Sequence, residues 1–252
     1  MLSQMRQWIQ IATAAPILNT SRFRFAFGGA SGTEIPLNEK GHPYCFEWVA
    51  LAGMQFEVAE TVLSDEGRPI YRLLCPNYTS APNYLDARFA TKLEEIESFI
   101  WPSRDQILRQ MEALIGTPYV WGGNWSYGIP ELLAFYPPQG TIDPKTEVYW
   151  TLKGIDCSGL LFQILRGQVP RNSSELLQYG KEVPIDLHNI AQILDKLNPL
   201  DILHYPGHVI FVFDKQHTIE SKSPFGVVQR NTKQRLEEIF DEKRPLSVRR
   251  FL

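Results

Sequence analysis

Cys157 is the residue of this 252-residue chain whose type and setting point most directly to chemistry. It lies in the segment 154–159 (GIDCSG), where an apolar helical pattern begins that ends at Gly167. Unpaired N–H groups at the start of a helix carry partial positive charge, which favours the thiolate form of a cysteine. A cysteine hydrolase attacks its amide substrate with that thiolate. The alternative is a buried structural cysteine, the commoner fate of a single thiol.

The chain contains five histidines as candidates for the general base. His42 lies in a Gly-His-Pro loop, and His188 follows a Pro-Ile-Asp-Leu segment without an evident role. His204, His208 and His217 lie in a predicted C-terminal sheet. Because His208 follows Tyr-Pro-Gly and opens the most apolar strand, its ring is fixed at a sheet end beside a turn. We therefore expect His208 to be the base, the alternative being an ordinary strand-end histidine.

A predicted hairpin supplies the partner of His208. If residues 214–216 form a three-residue loop, Ile210 pairs with Glu220, and His208 and Glu220 become diagonal neighbours on one face. A carboxylate at that position would fix the tautomer of the ring and favour its imidazolium form. A one-residue change of register would remove this expectation and leave Glu220 as a solvated strand residue.

The composition of the chain limits the classes of protein to which it can belong. A net charge of −3 argues against a general nucleic-acid binder, and a hydrophobic content of 44% is sufficient for a packed core. The three cysteines, Cys45, Cys75 and Cys157, form no C-x-x-C pair, so neither a zinc site nor a disulfide framework is expected, and no cofactor. Residues 1–18 make a poor signal peptide and are too short to span a bilayer, so we expect a cytoplasmic protein.

The first hundred residues predict β structure in a small barrel or meander. The predicted strands are 22–27, 48–51, 55–63 and 70–74, and the only helical patterns are 1–14 and, more weakly, 90–98.

A second domain is predicted to open near Trp101-Pro102, where Ser103 can cap a new helix with Gln106 as its capping-box partner. Helices come first and strands follow, which predicts an α+β domain with helices packed on an antiparallel sheet. The predicted elements are helices at 103–115, 157–165, 174–179 and 189–196, and strands at 202–203, 209–213, 218–221 and 227–230.

Four motifs in this order resemble the NlpC-type cysteine peptidases: 116–123 (GTPYVWGG), 156–159 (DCSG), 170–173 (PRNS) and 207–209 (GHV). The resemblance covers roughly residues 103–240. It implies a papain-like core that cleaves bacterial cell-wall peptides, with an SH3-like domain before it. The implied domains are therefore residues 1–100 and residues 101–252.

The resemblance also implies roles for individual residues. Tyr119 matches a tyrosine that lines the active site and helps to stabilise the oxyanion. Asp156, Ser158 and Ser173 match positions that bind the free amino end of L-Ala-γ-D-Glu-diamino acid peptides in relatives with an SH3-like domain. Those relatives cut after the D-glutamate. Asn172, beside them in the same implied substrate-binding set, stands where the close relatives carry an acid.

The chain departs from the family pattern at two further places. Glu220 stands at the third catalytic position, where the family has most often His or a neutral amide. Residues 124–155 form an insertion rich in Trp, Tyr and Pro, which is either a decorated surface loop or an extra wall over the cleft.

Three functions remain open from the sequence. The first is an endopeptidase that cuts the γ-D-glutamyl–diamino acid bond of peptidoglycan stem peptides or muropeptide fragments through Cys157, His208 and Glu220. The second is a thiol acyltransferase on the same scaffold. The third is an inactive module that binds cell-wall peptide. No nucleic-acid partner and no membrane span are expected.

Overall fold

A computed structural model of the chain describes residues 7–78, 81–93, 98–186 and 189–252. The chain divides into two compact units. The first unit comprises Met1–Phe99 and Val120–Gly154, and the second comprises Ile100–Tyr119 and Ile155–Leu252. All of the predicted insertion except its last residue therefore lies in the first unit.

Up to residue 113 the elements are β1 (Gln7–Ile11), β2 (Ala15–Leu18), α1 (Phe23–Ala26), β3 (Phe46–Ala50), β4 (Gln55–Leu63), β5 (Pro69–Leu74), β6 (Asn83–Asp86), β7 (Ala90–Thr91) and α2 (Arg104–Ala113). After residue 120 they are β8 (Asn124–Trp125), α3 (Glu131–Phe135), α4 (Pro144–Trp150), β9 (Gly154–Ile155), α5 (Gly159–Ile164), α6 (Ser173–Leu176), β10 (Lys181–Glu182), α7 (Ile190–Lys196), β11 (Ile202–Tyr205), β12 (His208–Val212), β13 (His217–Lys222), β14 (Gly226–Asn231), α8 (Thr232–Asp241) and β15 (Ser247–Arg250).

The first unit is built on an antiparallel sheet with the strand order β3-β2-β6-β5-β4-β1-β7. The predicted strand at 22–27 is wrong, because this segment forms the short helix α1. Phe23 opens this helix and Phe27 follows it directly, and both rings are buried and stack on Tyr136 at centroid distances of 5.7 and 5.6 Å. The three phenylalanines fit an alternating strand pattern, but the segment takes a helical turn.

The helix predicted at 1–14 is also wrong over its described part. Residues 7–11 form β1, which pairs antiparallel with β4. Ile9 and Ile11 are buried while Trp8 is 45% exposed, which is the alternation of a half-buried strand. Residues 1–6 of that prediction lie outside the described residues. In the segment 90–98 the structure has strand β7 at its start, and residues 94–97 lie outside the described residues.

Residues of the predicted insertion are tied into the first unit by buried polar contacts. The Asn124 side chain accepts a hydrogen bond from the Val49 N–H at 2.9 Å and donates one to the Val49 carbonyl at 2.8 Å. The Tyr136 hydroxyl donates to the buried carboxylate of Asp86. Buried polar groups need such partners, so these contacts attach the segment to the β sheet specifically.

The second unit contains an antiparallel sheet with the strand order β10-β15-β11-β12-β13-β14. Helices α7 and α8 cover one face of this sheet. The core between these helices and the sheet contains the buried residues Ile193, Leu197, Leu203, Tyr205, Ile210, Val212, Leu236, Ile239, Leu246 and Val248. The α+β arrangement of helices and antiparallel sheet predicted for this region is observed.

Helix α2 begins as predicted. Ser103 accepts a hydrogen bond from the Gln106 N–H at 3.3 Å, and the Gln106 side chain accepts one from the Ser103 N–H at 2.7 Å. Both bonds together make the capping box, which satisfies two N–H groups that the helix start leaves open. Within the described ranges, no helix combines the length and the apolar character needed to cross a bilayer.

Candidate active site

Cys157 lies in the turn between β9 and α5 and is 7% exposed. The helix begins at Gly159, so the predicted helix start at Cys157 is two residues too early. Asp156 explains the later start, because its Oδ1 accepts a hydrogen bond from the Gly159 N–H at 2.7 Å and closes the turn that presents the thiol.

Arg171 also holds this turn, through the side chains of Asp156 and Ser158. Its Nη2 donates to Asp156 Oδ2 at 2.8 Å, and its Nη1 donates to Asp156 Oδ1 at 3.1 Å and to Ser158 Oγ at 2.9 Å. All three side chains are buried. Asp156 and Ser158, which the resemblance assigns to substrate binding, therefore form a charge-assisted network with Arg171 on both sides of Cys157. Arg171 was part of a motif in the sequence, but no role for it was predicted.

His208 opens strand β12 directly after a tight turn. Gly207 has φ +86°, a backbone conformation that glycine adopts without strain, and this turn sets His208 opposite Tyr205 on β11. The two rings lie 5.3 Å apart between centroids. Cys157 is a close enough neighbour of the His208 ring to raise its pKa, so the structure brings together the two residues proposed as nucleophile and base.

Glu220 lies on β13 and is fully buried. Strands β12 and β13 pair Phe211 with Ile219 and Val212 with Thr218, which is the register that the hairpin analysis predicts. In that register His208 and Glu220 share a face, and His208 Nε2 lies 2.6 Å from Glu220 Oε2. The contact with Glu220 occupies Nε2, so Nδ1 is the ring nitrogen that remains available to Cys157.

Arg235 is a residue of the site that the sequence reasoning missed. It lies on α8, is fully buried, and donates from Nε to Glu220 Oε1 at 2.6 Å and from Nη2 to Glu220 Oε2 at 3.2 Å. Its Nη2 also donates to the Tyr205 hydroxyl at 2.9 Å. A signal was present, since Arg235 shares the buried helical face of Leu236 and Ile239, and a cation on an apolar face requires a buried partner.

The electrostatics of the site favour the charged forms of His208 and Glu220. Burial alone lowers the pKa of His208, but hydrogen bonds and charge from Cys157 and Glu220 outweigh it and raise this pKa to about 9. For Glu220, burial raises the pKa, but His208 and Arg235 outweigh it and lower this pKa to about 2. The imidazolium of His208 and the carboxylate of Glu220 are therefore both charged near neutrality.

The other residues in the implied substrate-binding set lie in the same unit. The Ile155 N–H donates to the Pro118 carbonyl at 3.0 Å, which places Tyr119 beside the strand that leads to Cys157. Tyr119 is partly buried. Asn172 and Ser173 form the start of α6 and are also partly buried, next to Arg171.

Of the other candidates for a base or a nucleophile, His188 lies outside the described residues, and the following four have surroundings unlike those of Cys157 and His208. His217 interacts with the exposed Asp214, its Nδ1 lying 3.0 Å from Oδ2. Burial is the largest influence on His204 and lowers its pKa. Burial raises the pKa of Cys45 to about 11 and that of Cys75 to about 12, so both thiols resist ionisation. Over the described ranges, no group of His, Cys, Asp and Glu side chains is arranged to hold a metal ion.

This arrangement provides the parts of a cysteine hydrolase in one compact unit. Cys157 neighbours the His208 ring, Nε2 of that ring lies beside the buried carboxylate of Glu220, and Arg235 holds that carboxylate. A protonated His208 in this position can donate its proton to a leaving amine.

No protein-family model and no curated protein matches the chain. Among solved structures, the chain matches proteins of the NlpC/P60 family. They include a Bacillus cereus NlpC/P60 family protein (16% identity, 97% of this chain and 63% of that chain, TM-score 0.41) and NlpC2 from Trichomonas vaginalis (13% identity, 99% and 74%, TM-score 0.37). A third is RipD from Mycobacterium tuberculosis, described as a non-catalytic NlpC/p60 domain protein adapted to peptidoglycan binding (18% identity, 61% and 100%, TM-score 0.38).

The chain spans less than two thirds of the Bacillus cereus protein.

Proposed function

We propose that the chain is a cysteine endopeptidase that hydrolyses the γ-D-glutamyl–diamino acid bond of peptidoglycan peptides. The observation that carries this proposal is the setting of the His208 ring, which has Cys157 as a neighbour that raises its pKa and lies 2.6 Å, through Nε2, from the buried carboxylate of Glu220. A histidine held in this way beside a cysteine is the arrangement that activates a thiol nucleophile.

In the proposed reaction, the Cys157 thiolate attacks the γ-carbonyl carbon of D-glutamate and forms a tetrahedral oxyanion. The His208 imidazolium then donates its proton to the nitrogen of the diamino acid, and the C–N bond breaks. This leaves a thioester on Cys157 and a free amine. Neutral His208 next takes a proton from water as the water oxygen attacks the thioester, and cleavage of the C–S bond regenerates the thiolate and the imidazolium.

Recognition of the peptide is proposed from the sequence resemblance. Tyr119 lines the site beside the oxyanion, and Asp156, Ser158, Asn172 and Ser173 bind the free amino end of the L-alanine. Since Asp156 already neutralises Arg171, the amine joins an existing ion pair and does not meet an isolated acid.

Two further parts of the proposal concern the context of the reaction. We assign the β sheet of the first unit to an SH3-like domain of the kind that accompanies the related peptidases. We also place the reaction in the cytoplasm, on peptide fragments. Fractionation of cells that produce the full protein tests the location, and export of the protein would contradict it.

The direct test is hydrolysis of L-Ala-γ-D-Glu-diaminopimelate by the wild type and by Cys157→Ala, with Cys75→Ala as the matched cysteine control. We expect the wild type and Cys75→Ala to release L-Ala-D-Glu and diaminopimelate, and Cys157→Ala to release neither while keeping the thermal unfolding midpoint of the wild type. Turnover by Cys157→Ala would refute the proposal.

The same assay separates the two alternative functions. An acyltransferase would move the acyl group from Cys157 to an added amine or alcohol and yield little of the hydrolysis product. A binding module would retain the peptide without turnover, and its affinity would be indifferent to Cys157→Ala.

A further inference from the structure

Arg235 and Glu220 form an ion pair that is closed to solvent, since both side chains are 0% exposed. A charge removed from water is costly unless a partner and hydrogen bonds compensate it. Here the guanidinium faces both oxygens of the carboxylate, with Nε 2.6 Å from Oε1 and Nη2 3.2 Å from Oε2. This two-point contact fixes the plane of the carboxylate as well as its charge.

The orientation of the Glu220 carboxylate matters because its Oε2 contacts two nitrogen atoms. It accepts from Arg235 Nη2 and lies 2.6 Å from His208 Nε2. Rotation of the carboxylate away from the ring would break both contacts to the arginine. The arginine therefore holds Oε2 at the position that His208 requires.

The arginine is itself held on two sides. Its Nη2 donates to the hydroxyl of Tyr205 at 2.9 Å, and its Nη1 donates to Glu238 at 3.2 Å. Tyr205 also packs its ring against that of His208, at 5.3 Å between centroids. His208, Glu220, Arg235 and Tyr205 thus make a closed ring of contacts in which each side chain restrains the next.

We propose that Arg235 is a positioning residue of the hydrolytic site, which keeps Glu220 ionised and aimed at His208 and thereby sets the pH range over which Cys157 is reactive. Arg235 touches neither the thiol nor the substrate in this proposal, and it acts through Glu220. The inference rests on the proposed function, because it assumes that Cys157 and His208 react.

The sign of the pH effect follows from the charges of the site. With thiolate, imidazolium, carboxylate and guanidinium present, the four charges sum to zero. Removal of the fixed positive charge of Arg235 raises the proton affinity of every titrating group linked to it, so the site retains its protons to higher pH. Among the described residues, the charged and titratable groups around this cluster include two on β11, His204 and Tyr205, and Cys157. The others are Arg230 on β14, Glu238 on α8, and Glu242 and Arg244 after that helix.

The test measures the rate of Cys157 alkylation by iodoacetamide against pH in the full-length wild type, Arg235→Met, Arg235→Lys and Arg230→Met. Arg230 is the matched control, since it binds the same Glu238 from β14 and is partly exposed. In Arg235→Met we expect the midpoint of the pH profile to move upward by roughly one pH unit, the size expected for a unit charge acting across one intervening residue. Arg230→Met should keep the wild-type midpoint.

Arg235→Lys separates charge from orientation. Lysine retains the positive charge but cannot make the two-point contact, so we expect a midpoint close to that of the wild type and a kcat for peptide hydrolysis lowered about tenfold with KM little changed. Thermal unfolding midpoints of all variants identify any that do not fold. If Arg235→Met does not fold, Arg235→Lys decides the question, and a wild-type kcat in that variant would overturn the inference.

The two possible failures are distinguishable. If Cys157 of the wild type reacts no faster than Cys45 and Cys75, the proposed function itself fails. If the wild type shows the enhanced reactivity and a folded Arg235→Met has an unchanged pH profile, the inference about Arg235 fails and the proposed function stands.

Discussion

Glu220 is fully buried and its Oε2 lies 2.6 Å from Nε2 of His208. A carboxylate in this position donates no proton and has no access to solvent, so its effect on the reaction is exerted through the ring. It fixes the orientation of the ring through Nε2, and its charge stabilises the imidazolium form of His208.

Replacement of this carboxylate by an amide is predicted to lower kcat. In Glu220→Gln the hydrogen bond to His208 can persist, but the charge that stabilises the imidazolium is lost, so kcat should fall by about 10-fold to 100-fold with a smaller change in KM. Steady-state kinetics on L-Ala-γ-D-Glu-diaminopimelate measure both constants.

The matched control for this variant is Asp214→Asn, which removes a carboxylate that contacts a different histidine, His217, at the surface. It should leave both constants unchanged. An unaltered kcat in Glu220→Gln would assign the orientation of His208 to another group.

The pH dependence of stability should reveal the same pair. The pKa of His208 is raised from 6.5 to about 9 in the folded protein. The protonated ring therefore contributes stability that is fully present below pH 6.5 and is lost as the pH rises from 6.5 to 9. Glu220, whose pKa is lowered from 4.5 to about 2, contributes stability that is present above pH 4.5 and is lost as the pH falls toward 2.

Chemical denaturation of the wild type and of His208→Gln between pH 5 and 10 measures the contribution of the histidine. We expect the free energy of unfolding of the wild type to decline relative to that of the variant as the pH increases from 6.5 to 9. Parallel curves over this range would show that the ring is not stabilised in its charged form.

Asn172 provides a test of the proposed amine recognition. Asn and Asp are similarly favourable before the first turn of a helix, so Asn172→Asp should not disturb α6. The added negative charge should lower KM for a peptide with a free amino end by about threefold to tenfold. An N-acetylated peptide gives the comparison, and an equal effect on both peptides would separate Asn172 from recognition of the amine.

Local rules were sufficient for the parts of the site that depend on short stretches of chain. A three-residue loop determines the pairing of β12 with β13, so the shared face of His208 and Glu220 could be predicted from the sequence. The capping box at Ser103 was predictable for the same reason, since its two bonds join residues three apart.

Contacts that depend on how elements pack were not predictable in this way. Arg235 reaches Glu220 only because α8 lies on the sheet, and no spacing rule relates a helix residue to one on β13. For the segment 22–27, the local sequence pattern predicted the wrong structure. Its aromatic residues fit a strand by alternation, yet packing of Phe23 and Phe27 on Tyr136 selects a helix.

The rate of Cys157 alkylation by iodoacetamide at pH 6 to 7, in the wild type and in His208→Gln, tests the central claim most directly. Cys45 and Cys75 are internal controls, because burial raises the pKa of each well above that of a free thiol. We predict that Cys157 of the wild type reacts at least about tenfold faster than either control, and that this advantage is lost in His208→Gln. Equal reactivity of the three thiols in the wild type, or an advantage that persists without His208, would contradict the account.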